Sequence, residues 1–166
     1  MREGLNVAVL TVSDSHTHET DTSGHFLEES LLVSGHHLAD RAIVIDDIYQ
    51  IRSRLSSWIA DRAVHAVLVT GGTGFSGRDS TPEAVLPLFD KTIDGFGESF
   101  RALSLDEIGS STVQSRAIAG LANRTAIFCM PGSTGACRTA WDGLIKNQLD
   151  EAHQPCNFVK VLRGEV

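Results

Sequence analysis

The residues best able to do chemistry lie in one short stretch, residues 67–83, VLVTGGTGFSGRDSTPE. Gly71, Gly72 and Gly74 follow an apolar, β-rich run, and Thr81-Pro82-Glu83 closes the stretch as a helix start. Thr81 is placed to cap that helix, and Pro82 suits its first position, where a missing N–H is no loss. A strand feeding a glycine turn that feeds a helix can aim backbone N–H groups at an anion. Glycines let that backbone come close, because no Cβ intervenes. Asp79, beside Arg78, sets an acid next to the anion site, which invites a divalent cation between acid and ligand. The stretch is not a Walker A motif, since no Lys-Ser/Thr pair follows the glycines. Nor does it follow the first strand, where a dinucleotide fingerprint belongs. The plain alternative is a tight strand-to-helix turn with no ligand.

Other polar clusters stand where strands should end. An apolar run over residues 5–12 reads as a strand covered on both faces and stops at Ser13-Asp14-Ser15. The carboxyl end of such a strand is the edge where ligands sit in open α/β sheets. His16 and His18, two residues apart, read as solvated loop histidines rather than metal ligands. A second strand over 36–45 stops at Asp46-Asp47. One of these aspartates caps the next helix, or a carboxylate stands at the ligand edge; the residues leave both open. Residues 130–136, MPGSTGA, make a second strand–turn–helix junction, with Ser133 or Thr134 as cap and free N–H groups suited to an anion. Glu98 and Arg101 serve the site or pair with each other on the surface.

The elements that must position these residues follow from periodicity. Asp21-Thr22-Ser23 opens a helix with an apolar stripe at Phe26, Leu27 and Leu31, and Gly35 ends it. Ile48, Ile51, Leu55, Trp58 and Ile59 recur at helical spacing, and a third strand over 64–69 leads into the glycine turn. The order β-α-β-α-β-loop-α implies right-handed crossovers and a mainly parallel sheet. Gly95 and Gly97 read as a flexible elbow before a further helix to about Asp106. Residues 117–121 and 125–130 read as a hairpin, so the sheet is expected to be mixed. The tail from Glu151 onward has no usable periodicity.

Composition sets the outer bounds. At 166 residues the chain is expected to form a single domain, 1–166, around one sizeable core. A formal charge of −7 argues against a general nucleic-acid binder, though not against anionic small ligands. No apolar run approaches the roughly 20 residues of a membrane span, and because Met1-Arg2-Glu3-Gly4 leads straight into a strand-like run, no signal peptide is expected. Cys129, Cys137 and Cys156 show no metal-site spacing, so reduced thiols in a cytoplasmic protein are expected.

Taken together, TGGTG at 70–74, GRDSTPEA at 77–84, DGFGESFR at 94–101, SRAIAG at 115–120 and PGSTGA at 131–136 resemble the MoaB/MogA family of molybdenum cofactor biosynthesis, relatives of the gephyrin G domain. The resemblance runs from about Val7 to Leu162, and QLD at 148–150, PCNF at 155–158 and GACRTAW at 135–141 look most like the MoaB branch. It implies a three-layer α/β/α domain with a mostly parallel sheet and a β-hairpin extension, which binds molybdopterin. It implies adenylyl transfer from Mg-ATP to the terminal phosphate of molybdopterin, giving adenylyl-molybdopterin and pyrophosphate. The alternative is a non-catalytic molybdopterin carrier. A homotrimer or hexamer, and a downstream protein that inserts molybdate, are further implications. Carried over by residue, Asp79 and Asp47 match the two essential aspartates and would share Mg²⁺. Gly71, Gly72 and Gly74 match the nucleotide-facing loop, and Gly132 and Ser133 match the turn that meets the pterin side. Ser13 and Asp14 fall at a matching pocket edge. Arg78 and Thr81 are retained from the active pattern, and Ser115 and Glu98 are further candidates.

Overall fold

The computed structural model describes residues 3–166. Met1 and Arg2, read above as leading straight into the first strand, lie outside the described residues. The elements run β1 (Asn6–Val12), α1 (Thr22–Val33), β2 (His37–Val44), α2 (Ile48–Ala60), β3 (Ala66–Thr70) and α3 (Thr81–Val85). They continue with β4 (Lys91–Thr92), α4 (Asp94–Ile108), β5 (Ile118–Ala122), β6 (Thr125–Met130), α5 (Thr134–Ala140), α6 (Lys146–Gln148) and α7 (Val159–Arg163). A π-helical turn, Trp141–Ile145, joins α5 to α6 without a break.

The six strands form one sheet in the order β2-β1-β3-β6-β5-β4. The β2-β1-β3-β6 pairings are parallel, whereas the β6-β5 and β5-β4 pairings are antiparallel. This is the expected parallel sheet with a hairpin extension. The hairpin turns at Asn123 and Arg124, both left-handed with φ of 48° and 66°, as a two-residue turn matched to strand twist requires.

Alternation along the central strands divides the core into two halves. Val7 and Val9 of β1, Leu68 of β3 and Phe128 of β6 face Leu27 and Leu31 of α1, Phe100 of α4 and Trp141. Ala8, Leu10, Val67, Val69 and Ile127 face Ile51, Leu55 and Trp58 of α2 and Val85 of α3. A sheet covered on both faces explains why its central strands read as unbroken apolar runs. With α1 on one face and α2 on the other, the chain leaves β1 in one direction and returns to its opposite side as β3. The reversal point between β1 and β3 opens a crevice at their carboxyl ends, the place where ligands bind in such sheets.

Some boundaries differ from the sequence reading. Strand β2 stops at Val44 and β3 runs from Ala66 to Thr70, each shifted by a residue or two. Gly95 and Gly97 are no elbow: both lie inside α4, where Gly97 passes the Ala117 carbonyl so closely that a Cβ would stand 2.6 Å from it. The tail contains α7, which buries Val159 and Leu162.

Candidate ligand site at the carboxyl edge of the sheet

The glycine turn after β3 is pinned from below. Gly71 N–H donates to the Met130 carbonyl at 3.0 Å, and Thr70 Oγ1 donates to the Pro131 carbonyl at 2.9 Å. Gly71 has φ of +102°, and a Cβ there would lie 2.2 Å from the Val12 carbonyl oxygen; Gly72 has φ of +70°. Both positions therefore require glycine. The carbonyls of the turn are all taken. Gly71 O accepts the Thr81 hydroxyl at 2.8 Å and Gly72 O accepts Thr81 N–H at 3.0 Å. Thr73 O and Gly74 O accept from Arg116, through its backbone N–H at 3.2 Å and its Nε at 2.8 Å. The N–H groups of Gly72, Thr73 and Gly74, by contrast, find no acceptor among the described residues. The turn thus keeps its oxygens for the protein and leaves its donors for a ligand, which is the polarity an anion needs.

These residues wall a cavity of about 440 Å³, within the usual range for small-molecule sites. Of the residues singled out in the sequence, Ser13, Gly71, Gly72, Gly74, Asp79, Ser115 and Gly132 line it. His16 joins them from the loop after β1, together with the buried Thr11 of β1 and Asp21, the cap of α1. The Ser115 hydroxyl is buried beside the cavity with no hydrogen-bond partner among the described residues. Asp14, Asp47, Arg78, Thr81, Glu98 and Ser133 do not line it.

Each of the latter has a place in the scaffold. Thr81 does not cap α3; its buried hydroxyl holds the turn, and Ser80 takes the cap position without a side-chain cap bond. Ser133 caps α5, accepting from Ala136 N–H at 3.1 Å. Glu98 lies with Arg101 in a separate groove against β5, where Arg101 donates to the Ala117 carbonyl at 3.0 Å. Arg78 forks onto Asp14, Nε to Oδ2 at 2.9 Å and Nη2 to Oδ1 at 2.8 Å, tying the loop after β3 to the loop after β1. That guanidinium, helped by the Asp46 N–H, holds the Asp14 carboxyl down at about 2, and the pair raises Arg78 in turn.

The two aspartates at the end of β2 separate. Asp47 caps α2, its Oδ1 accepting from Tyr49 and Gln50 N–H at 3.0 and 2.9 Å. The expected convergence of Asp47 and Asp79 on one cavity is therefore not found. Asp46 turns the other way, is 8 % exposed, and lies under the glycine turn. Its Oδ1 accepts from Ser80 N–H at 3.0 Å and from the Ser80 hydroxyl. Its Oδ2 has no hydrogen bond among the described residues and faces Gly72, where a Cβ would stand 2.8 Å away. Asp79 flanks the other end of the turn: its Oδ2 accepts Ser76 N–H at 2.9 Å and would lie 2.7 Å from a Cβ on Gly74. Sequence reasoning singled out neither Asp46 over its neighbour nor Arg116, which sits inside the SRAIAG motif. Among the described residues no three His, Cys, Asp or Glu side chains cluster as a metal site.

A parallel sheet with a donor-presenting turn and a cavity at its switch point defines an α/β protein with an anion-suited crevice at the carboxyl edge of its sheet. A model of a probable molybdopterin binding domain matches residues 8–151. Molybdenum cofactor biosynthesis protein B of Escherichia coli (strain K12) is 57 % identical over 152 residues, covering 92 % of this chain and 89 % of that protein. A crystal structure of a molybdenum cofactor biosynthesis protein B, 44 % identical, superposes with a TM-score of 0.86 over 89 % of this chain and 92 % of that one. The tungsten cofactor synthesizing protein MoaB from Pyrococcus furiosus, 34 % identical, superposes at 0.77 over 87 % and 92 %. The chain belongs to the MoaB/MogA family of molybdopterin-binding domains. It has the fold of that family, and its homology places it in molybdenum cofactor biosynthesis.

Proposed function

We propose that the chain binds molybdopterin in the cavity between β1 and β3 and transfers AMP from Mg-ATP onto its terminal phosphate. The observation that carries this reading is the turn at 72–74, whose three N–H groups are free while its carbonyls are all engaged. Such donors, fixed before the ligand arrives, stabilise phosphate charge without reorganisation at the moment of reaction.

In this reading a magnesium ion is drawn to carboxylate oxygens that the protein leaves without hydrogen bonds. Asp46 Oδ2 and Asp79 Oδ1 are carboxylate oxygens with no hydrogen bond among the described residues, one at each end of the turn; Asp79 lines the cavity, whereas Asp46 is buried against Gly72 outside its lining. Two carboxylates completed by ligand phosphates and water are an ordinary set for Mg²⁺. In this reading Asp46 takes the part that the resemblance gave to Asp47. When bound, the ion would neutralise charge on the phosphates of ATP. The protein's own work is positioning. The turn holds phosphate oxygens, and Ser13 and Gly132 line the same pocket. The molybdopterin phosphate attacks the α-phosphorus, a bond to AMP forms, and pyrophosphate leaves. No general base is required, because a phosphate nucleophile is already ionised at neutral pH.

The second reading, a molybdopterin carrier without transfer, is favoured by the placing of Asp47 in a helix cap. In either reading the self-association implied by the family finds support in the exposed apolar side chains Leu105 and Val113 on α4 and the turn beyond it. Calorimetry with molybdopterin and with its dephosphorylated form tests the shared core of both. Tight binding that weakens at least tenfold without the phosphate is expected; equal binding of the two forms would remove the turn from the account.

A further inference from the structure

Arg116, in the segment leading into β5, touches both ends of the loop that carries Asp79. Its Nε donates to the Gly74 carbonyl at 2.8 Å and its Nη2 to the Asp79 carbonyl at 3.0 Å. Its Nη1 pairs with Glu83 on α3, and its guanidinium lies 5.1 Å from the centre of the Phe75 ring. Its own backbone N–H reaches Thr73. One planar group thus closes residues 74–79 into a ring whose joints are a guanidinium fork and two carbonyls. Inside that ring, Asp79 N–H donates to Ser76 O at 3.0 Å, and Ser76 N–H donates back to the Asp79 carboxylate.

We propose that Arg116 is the positioning residue of the candidate site, holding the Asp79 backbone so that its carboxylate stands at the glycine turn beside a bound phosphate ligand. The proposal rests on the molybdopterin reading of the cavity. The ion pair with Glu83 is not what carries it: the Glu83 side chain is 49 % exposed, and a pair so wetted contributes little. The contribution comes from the two carbonyls, which two nitrogens of a rigid planar fork meet in fixed geometry, whereas an ammonium must reach both from one point on a flexible stem. Arg116→Lys therefore keeps the charge and loses the ring, whereas Glu83→Gln loses the ion pair and keeps the ring.

The test compares these two variants by amide hydrogen exchange and molybdopterin calorimetry, each also in an Asp79→Asn background. In Arg116→Lys the amides of Ser76, Asp79, Ser80 and Thr81 are expected to exchange at least about tenfold faster, with those of β1 and β3 unchanged, as local opening without global loss of stability requires. Glu83→Gln leaves both sets unchanged. Arg116→Lys is expected to weaken molybdopterin binding about tenfold in the parent chain and less than about twofold once Asp79 is Asn, the non-additivity of residues acting through one another. Unchanged loop exchange in Arg116→Lys, or equal losses of affinity in the two backgrounds, overturns the proposal. Failure of the parent chain itself to bind molybdopterin overturns the ligand assignment instead, and the exchange comparison still decides whether Arg116 holds the loop.

Discussion

Asp46 and Asp47 differ by one position in the chain and by which way their side chains leave it. Asp47 has the extended backbone of an N-cap, φ −139° and ψ 129°, and its carboxylate binds the first free N–H groups of α2. Asp47→Ala is expected to lower stability by about 1 kcal/mol in denaturant unfolding while leaving molybdopterin affinity unchanged. The sequence supplied two candidates and a sound reason for each, but the choice depends on where β2 stops. That depends in turn on its pairing with β1, which ends at Val12 and Val44. Asp14 shows a second limit of the same kind. As a polar residue at a strand end it was legible as an edge residue, but its fork with Arg78, 64 positions away, was not. Because its folded pKa is depressed, its pairing contributes stability that is complete above the ordinary 3.8 and is lost as pH falls through about 2. A carbon-detected titration is expected to show the Asp14 carboxyl still ionised at pH 3; in Arg78→Gln its midpoint moves up toward 3.8.

Among the elements, the glycine turn was the most legible, since three glycines between a β-rich run and Thr-Pro-Glu leave few other structures. Its cap was misread because Thr81 is drawn away by a tertiary acceptor, the Gly71 carbonyl, which local pattern cannot reveal. The glycines of α4 were read as an elbow because glycine weakens a helix locally. At Gly97 the approach of the segment leading into β5 outweighs that cost. The same geometry makes the turn intolerant of a side chain. In Gly72→Ala the new Cβ would stand 2.3 Å from Thr81 Oγ1 at a φ of +70°. A loss of roughly 1–3 kcal/mol is expected from the backbone strain alone. Molybdopterin affinity is expected to fall with it, measured by thermal unfolding and calorimetry on the same preparation.

At the scale of the whole molecule, the sequence order of strands and helices carried the fold, because a strand-helix-strand unit of one hand leaves little freedom in a parallel sheet. It also carried the location of the cavity, since the chain's reversal between β1 and β3 puts the loops after those strands together. What it did not carry was the inner arrangement of that crevice. Asp46, Asp79 and the neighbouring pair Ser115 and Arg116 come from three segments, and only packing of the two half-cores against the sheet brings them to one turn. Among the described residues no helix is long and apolar enough to cross a membrane, in keeping with the absence of an apolar run of that length in the sequence.

The central claim is that Asp46 and Asp79, at the two ends of the 72–74 turn, serve adenylyl transfer and that Asp47 does not. The most direct measurement is mass spectrometry of the pterin after incubating the protein with molybdopterin, ATP and Mg²⁺, using the parent chain, Asp46→Asn, Asp47→Asn and Asp79→Asn. Adenylyl-molybdopterin is expected from the parent chain and from Asp47→Asn, and a loss of at least about a hundredfold from the other two. Product from Asp46→Asn at the parent rate, or none from a parent chain that binds both substrates, would contradict it.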